Sequence, residues 1–268
     1  MLPVTFLSDF GLDDEFVGVV HGVIAKLAPE SRIIDLTHAI PAGGVRSGAL
    51  ALTRAIQYLP EGVVLAVVDP GVGTGRRAIA CLTPWGHFVG PDNGLLSPAV
   101  AMSGGAVRVV SIENPEARIP SAGATFHGRD VFAPAAALLA SGEAAIDDLG
   151  PPVDPEALVP MMLPIPDVGE GVVSGECWWV DRFGNCQTNI GPDDLTEAGM
   201  RPGRPVEVRI GATVREARWL GVYGEVEVGE LLLHVDSAGL MSLAVRGGSA
   251  ADELELADGV AVMLRRSR

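Results

Sequence analysis

Residues 63–68 read Val-Val-Leu-Ala-Val-Val and run directly into Asp69-Pro70. An apolar run of that length, with no polar alternation, is a strand buried on both faces. Proline has no N–H for a ladder, so the strand stops at Asp69 and delivers a carboxylate at its end. Gly71, Gly73 and Gly75 follow at every second position, and then Arg76 and Arg77. Glycines at that spacing let the backbone fold tightly or approach a ligand closely. Arg76 can turn back onto Asp69 as its counter-ion. The stretch is therefore either a glycine-rich loop with a surface ion pair or one corner of a site.

A strand buried on both faces needs covering layers, and the upstream chain supplies them. Residues 3–8 read as a strand ending at Asp9. Asp13-Asp14-Glu15 opens a helix whose apolar positions, Phe16, Val19, Val20, Val23, Ile24 and Leu27, fall at helical spacing. Residues 32–36 form a second strand, with Asp35 near its end and His38 just after, and 44–59 a second helix with Leu50, Ile56 and Leu59 inward. The order β-α-β-α-β predicts parallel strands with right-handed crossovers. Such sheets bind ligands beyond the carboxyl ends of their strands. Asp9, Asp35 and Asp69 all stand at such ends, available to line the edge or to cap helices and hold loops.

Residues 77–83 and 86–90 read as a hairpin, 95–103 as a short helix and 106–112 as a strand. His127 stands at the start of a further helix carrying Val131, Phe132, Ala135, Leu138 and Leu139, where the dipole favours a neutral imidazole. A histidine there serves either structure or catalysis. Prolines at 151, 152, 155, 160, 164 and 166 mark a stiff linker. Beyond it, short apolar runs separated by turn residues (171–181, 187–190, 205–210, 213–219, 230–235, 240–245, 260–265) read as an antiparallel sheet or small barrel. The expected fold is α/β: an N-terminal domain, 1–150, with a mostly parallel Rossmann-like sheet and flanking helices, a linker, 151–167, and a smaller C-terminal antiparallel β domain, 168–268.

Charge narrows the partners. The formal net charge is −15, which argues against nucleic acid and acidic membrane surfaces and suits a cationic substrate. Three cysteines without metal spacing read as reduced cytoplasmic thiols. The sequence shows neither a signal peptide nor an apolar stretch of membrane-spanning length. A nicotinamide-dependent dehydrogenase is disfavoured, because the first turn, Ser8-Asp9-Phe10-Gly11-Leu12-Asp13, lacks the glycine fingerprint and puts acids where a pyrophosphate would sit.

Six motifs then occur in one order: Ser8-Asp9-Phe10-Gly11 with Asp14 and Phe16-Val17-Gly18; Asp35-Leu36-Thr37-His38; Asp69-Pro70-Gly71-Val72-Gly73-Thr74; Gly90-Pro91-Asp92-Asn93-Gly94; Phe126-His127-Gly128-Arg129-Asp130; and Asp181-Arg182-Phe183-Gly184-Asn185. Together they resemble the S-adenosylmethionine hydroxide adenosyltransferases, adenosine-forming hydrolases related to fluorinating and chlorinating enzymes. The resemblance spans nearly the whole chain. It implies attack of water or hydroxide on the substrate's ribose C5′, release of adenosine and L-methionine, no metal or redox cofactor, and a homotrimer with sites between subunits. Its catalytic set falls on Asp69, Arg76 and His127, with His127, or a water shared by His127 and Asp69, favoured as base. It places the ribose diol on Asp9, the ammonium on Asp181, the adenine edge on Asn185 with Phe183 stacking, the methionine end on Ser237, and the backbone of Ala250 against adenine.

There are departures. Ala238 stands where the halogenating relatives carry an arginine for the methionine carboxylate. The aromatic expected after the Asp-x-x-His segment is replaced by Pro41-Ala42-Gly43, and Tyr223 is a candidate for the missing wall. Asp69 and His127 match tyrosines of the halogenating relatives, which favours water over halide. Gly128 matches the fluoride-holding serine of the fluorinating relatives and excludes fluoride alone. The alternatives are a non-catalytic adenosine-binding module and a chlorinase-type enzyme.

Overall fold

The computed structural model describes residues 1–267. They divide into two units, the first Met1–Met162 and the second from Leu163 onward. The first unit contains β1 (Val4–Ser8), α1 (Phe16–Leu27), β2 (Ile33–Thr37), α2 (Val45–Ala55), β3 (Val63–Val67), β4 (Ala78–Leu82), β5 (His87–Pro91), α3 (Ser97–Met102), β6 (Arg108–Ser111) and α4 (Ala133–Ser141). Its sheet runs β2-β1-β3-β5-β4-β6. The first four strands of that order are parallel, and β4 is antiparallel to both its neighbours.

Every residue of β1 and β3 is buried, because helices cover both faces of the sheet. Along β3, Val63, Leu65 and Val67 join Phe6, α1 and α4 in one core. Val64 and Ala66, with Val68 just beyond the strand, join Leu7, α2 and α3 in the other. This two-sided burial fixes Asp69 at the carboxyl edge of the sheet. In α1 the buried stripe is Val17, Val20 and Ile24. Phe16, expected inward, is exposed and instead meets Phe126 at a ring-centroid distance of 5.0 Å. The acids at 13–15 lie in the turn before α1, not in its first turn.

Asp35 corrects the expectation of a carboxylate at each strand end. It sits inside β2, opposite Phe6, two residues short of the strand's end. Part of the stretch expected as a linker packs on the first unit. Val153 N–H bonds the Val109 carbonyl at 2.9 Å, and Leu158 and Met161 lie against the core beneath α2 and α3.

The second unit contains β7 (Asp167–Gly169), β8 (Val172–Val180), β9 (Cys186–Thr188), α5 (Pro192–Glu197), β10 (Pro205–Ile210), β11 (Thr213–Trp219), β12 (Leu231–Val235), β13 (Met241–Val245), α6 (Ala250–Leu254) and β14 (Ala261–Arg266). Strands β8, β14, β10, β11, β12, β13 and β9 follow one another and close back on β8, a barrel with β7 attached outside the ring. Closure removes the open edges of the sheet. Its interior holds Val173, Leu195, Val208, Leu233, Leu243 and Leu264. The pattern is antiparallel except between β11 and β12. The connection between those two strands is a longer one containing a short 3-10 turn at Tyr223–Glu225, not a tight hairpin, which lets β12 pair parallel. The sequence reading did not anticipate α5 and α6, whose 6 and 5 residues are too few to show a period.

Among the described residues no helix is long and apolar enough to cross a membrane.

Candidate active site

Asp69 follows β3, and the turn after it is held by Val72 N–H on the Asp69 carbonyl and by the Thr74 hydroxyl on the Gly71 carbonyl. That turn brings Arg76 back over the strand end. Arg76 Nε donates to Asp69 Oδ1 at 2.8 Å, and Nη2 donates to Oδ2. The fork is bidentate, the geometry in which guanidinium and carboxylate bind most strongly. Arg76 Nη2 also donates to His127 Nδ1 at 2.9 Å. Phe132 lies under the guanidinium, with its ring centroid 5.1 Å away. Side chains from three segments therefore form one connected group, and Asp69 and Arg76 are only 6% and 10% exposed. Arg77 takes another part: it pairs with Asp92, whose other oxygen accepts Val159 N–H at 2.9 Å.

His127 directly precedes a π-helical turn, Gly128–Phe132. Such turns are rare and concentrate at functional sites. Burial pushes the His127 imidazole below its ordinary value of 6.5, and Arg76 pushes the same way; Asp69 opposes both and is outweighed. The ring is therefore neutral near pH 7, through burial and a cationic neighbour where the sequence suggested a helix dipole. Arginine can only donate, so Nδ1 is the acceptor and the ring proton is on Nε2.

Asp9, just past β1, lines the same pocket as Asp69 and His127, together with Phe10, Thr125 and Gly128, and the empty space is about 290 Å³. The Gly43 amide holds Asp9 Oδ2 at 2.7 Å. So Pro41-Ala42-Gly43, which lacks the aromatic, orients the carboxylate. Gly128 faces Phe10, and a Cβ there would come within 2.8 Å of that ring. Beside the pocket Phe126 packs edge to face with Phe10 and Phe16, and those two rings are tilted against each other. Asp35 does not line it.

The second unit has its own pocket, with about 850 Å³ of empty space. Asp181, Asn185, Tyr223 and Ser237 line it, as do Gln187 and His234, which the sequence reading missed. Strand alternation was the available signal: Gln187 lies two positions from Asn185. Asp181 also serves the local turn. Its Oδ1 accepts the amides of Phe183 and Asn185, and Oδ2 accepts Asn185 Nδ2 at 2.8 Å. The Asn185 oxygen is left to accept. Gly184 requires its residue type: φ is +81°, and a Cβ would collide with Ser249 Oγ at 2.2 Å. Phe183 is exposed on this turn. Ala250 is buried at the start of α6, which the Ala251 amide ties to the Gly184 carbonyl at 3.0 Å. His234 Nδ1 donates to the Val235 carbonyl at 3.2 Å, while Nε2 is buried without a partner among the described residues. No arginine or lysine lines this pocket, and Tyr223 is pushed upward by burial and by Asp181 and Asp236.

A parallel α/β sheet with a buried carboxylate–guanidinium–imidazole group at its carboxyl edge, followed by a closed barrel with an acidic pocket, defines a two-unit enzyme for a small polar substrate. Residues 4–150 match the SAM hydroxide adenosyltransferase N-terminal domain and residues 175–263 the C-terminal domain of the same family. The chain belongs to the S-adenosylmethionine (SAM) hydroxide adenosyltransferase family. It is 45% identical over 258 residues to "(R)-S-adenosyl-L-methionine hydrolase" of Salinispora tropica, covering 96% of this chain and 95% of that one. A crystal structure of an uncharacterized conserved protein from Thermotoga maritima superimposes with a TM-score of 0.90 at 37% identity, covering 98% of this chain and 100% of the other. At greater distance, the fluorinase of Actinopolyspora mzabensis is 26% identical over 300 residues, covering 98% and 97%.

Proposed function

We propose that this protein hydrolyses S-adenosyl-L-methionine to adenosine and L-methionine, by in-line attack of water on ribose C5′. Arg76 joining Asp69 to His127 at the end of β3 carries this reading. The sulfonium is already a good leaving group, so the chemistry asks for an aligned, deprotonating water and no metal or redox step. With Nδ1 occupied by Arg76, His127 presents Nε2–H and donates to the water oxygen. Asp69, through a lone pair that Arg76 leaves open, accepts the water's proton. The acceptor part thus falls to Asp69, not to His127. As C5′–O forms, the C5′–S electron pair returns to sulfur, and the proton passes from Asp69 to solvent. Positioning of this kind recovers part of the entropy of a bimolecular step.

Asp9 is placed to accept both ribose hydroxyls, since a carboxylate only accepts. The acidic second-unit pocket suits the ammonium and adenine ends through Asp181, Asn185 and Ser237, with Tyr223 as an aromatic wall; Phe183 and the Ala250 backbone, outside that lining, are proposed to meet the adenine as it binds. Each pocket carries only part of the groups needed. We therefore propose a cytoplasmic homotrimer, in which one subunit's first-unit pocket is completed by a neighbour's second-unit pocket. A halide acceptor fits less well, because Asp69 would repel it.

Incubation with SAM in ¹⁸O-water is expected to give adenosine labelled at the 5′ oxygen, undiminished by chelator and without 5′-halo product in saturating halide. Methylthioadenosine as product would overturn the reading. Mixing inactive Asp69→Ala and Asn185→Ala chains should restore part of the activity; a fully active monomer in sedimentation would refute the shared site.

A further inference from the structure

Three residues on the first unit meet at one point and take no part in the proposed reaction. His21 comes from the second turn of α1, Asp35 from β2, and His38 from just beyond β2. His21 Nε2 and His38 Nε2 both lie on the same oxygen, Asp35 Oδ1, at 2.8 and 3.0 Å. The ligand atoms all fall within 4.8 Å of one another. We propose that His21, Asp35 and His38 bind a divalent transition-metal cation of the zinc or cobalt kind, separate from the reaction site.

The donor set is two imidazole nitrogens and one carboxylate oxygen, which suits first-row divalent ions and leaves positions for water. Tetrahedral zinc with bonds of about 2.0–2.1 Å needs donor atoms roughly 3.3 Å apart. The two histidine–Asp35 spacings, 2.8 and 3.0 Å, reach that by opening a few tenths of an ångström, and the two imidazole nitrogens, within 4.8 Å of each other, close onto the ion from that range. The orientation of His38 is already fixed. Its ring is buried against Phe6, with centroids 4.5 Å apart, and Nδ1 lies 2.7 Å from the Ser8 hydroxyl. A metal-binding histidine characteristically has its other nitrogen held by such a partner. Without metal, each Nε2–H donates to Asp35, and Ser8 donates to His38 Nδ1. With metal, each Nε2 offers its lone pair, each ring proton moves to Nδ1, and His38 then donates to Ser8 Oγ. The charge on the protein is unchanged and no co-reactant is needed. His21 and Asp35 are 34% and 43% exposed, which gives the ion an entry path.

The test is titration of chelator-treated, full-length protein with Co²⁺, followed by displacement with Zn²⁺. One equivalent of Co²⁺ per chain is expected, with ligand-field absorption that Zn²⁺ abolishes. His21→Ala and Asp35→Ala should each weaken binding by at least about 10–100-fold. Because truncation could disturb packing, His21→Lys serves as a second variant: it keeps a cationic partner for Asp35 and removes the ligand. Zinc should raise the melting temperature of the parent protein and not that of His21→Lys, while adenosine formation by both stays within twofold with or without metal. Absence of stoichiometric Co²⁺ binding, or binding that all three variants retain, would overturn the proposal.

Discussion

Two imidazole–carboxylate clusters stand on the same α/β unit, and they are wired oppositely. His127 reaches Asp69 only through Arg76, which donates to both. His21 and His38 reach Asp35 directly. In the first cluster the guanidinium occupies Nδ1 and leaves Nε2–H to another partner. In the second the carboxylate occupies both Nε2 atoms. Burial lowers His127 first and Arg76 second, so its ring is kept neutral. Burial raises Asp35, but hydrogen bonds from His38 and His21 outweigh it and leave the carboxyl below its ordinary value. The same residue types thus become a fixed donor in one place and a convergent set of ligand atoms in the other, and the intervening cation makes the difference.

The sharpest way to break this contrast is one substitution made in both places. Asp69→Asn should lower kcat by about 10²–10⁴-fold with KM almost unchanged, as expected for loss of a proton acceptor. Asp35→Asn should leave kcat within about twofold, because a surface side chain off the site lacks that leverage. Comparable losses from the two would mean that the clusters do not differ as argued.

Removing the intervening cation comes next. Arg76→Met leaves Asp69 buried without its partner and should cost about 3–5 kcal/mol in urea unfolding. The His127 resonance, followed by NMR, should then titrate at higher pH. No change in either measurement would show that Arg76 does not set the state of the ring.

The pH profile distinguishes the two clusters without mutation. A histidine whose folded pKa lies below its unfolded value contributes stability that is fully present above about 6.5 and is lost as pH falls through the lower folded value. Activity should therefore be flat above pH 6.5 and fall only below it. A falling limb centred above pH 7 would contradict a lowered His127. Asp35 also has a lowered pKa, and its contribution is present above about 3.8 and lost as pH falls further. That second loss should disappear in Asp35→Asn in acid-unfolding curves.

Smaller still is the effect at Gly128. Gly128→Ser pushes an atom against Phe10 and should destabilise by about 1–3 kcal/mol through overpacking. It should not open a route to halide. A 5′-fluoro product from that variant would show that Asp69 does not exclude anions.

The sequence alone determined the strand that ends in Asp69, because an unbroken apolar run followed by proline permits little else. The β-α-β-α-β order and the short-strand character of the second unit were legible for the same reason: periodicity and turn residues act locally. Proximity of Asp69 and Arg76 was also readable, since they are seven residues apart across a turn. Asp35 stayed open between an edge carboxylate and a structural one because sequence locates a strand's end only to within a residue or two, and two positions moved it off the edge. Tertiary structure alone brought His127 to Arg76 across 51 residues, closed the barrel through a parallel pair, and set His21 beside Asp35 and His38. The choice of acceptor nitrogen on His127 belongs there too. A hydrogen-bond role is a property of a pair of groups in space, and no period or composition encodes which donor a folded chain will place against a ring.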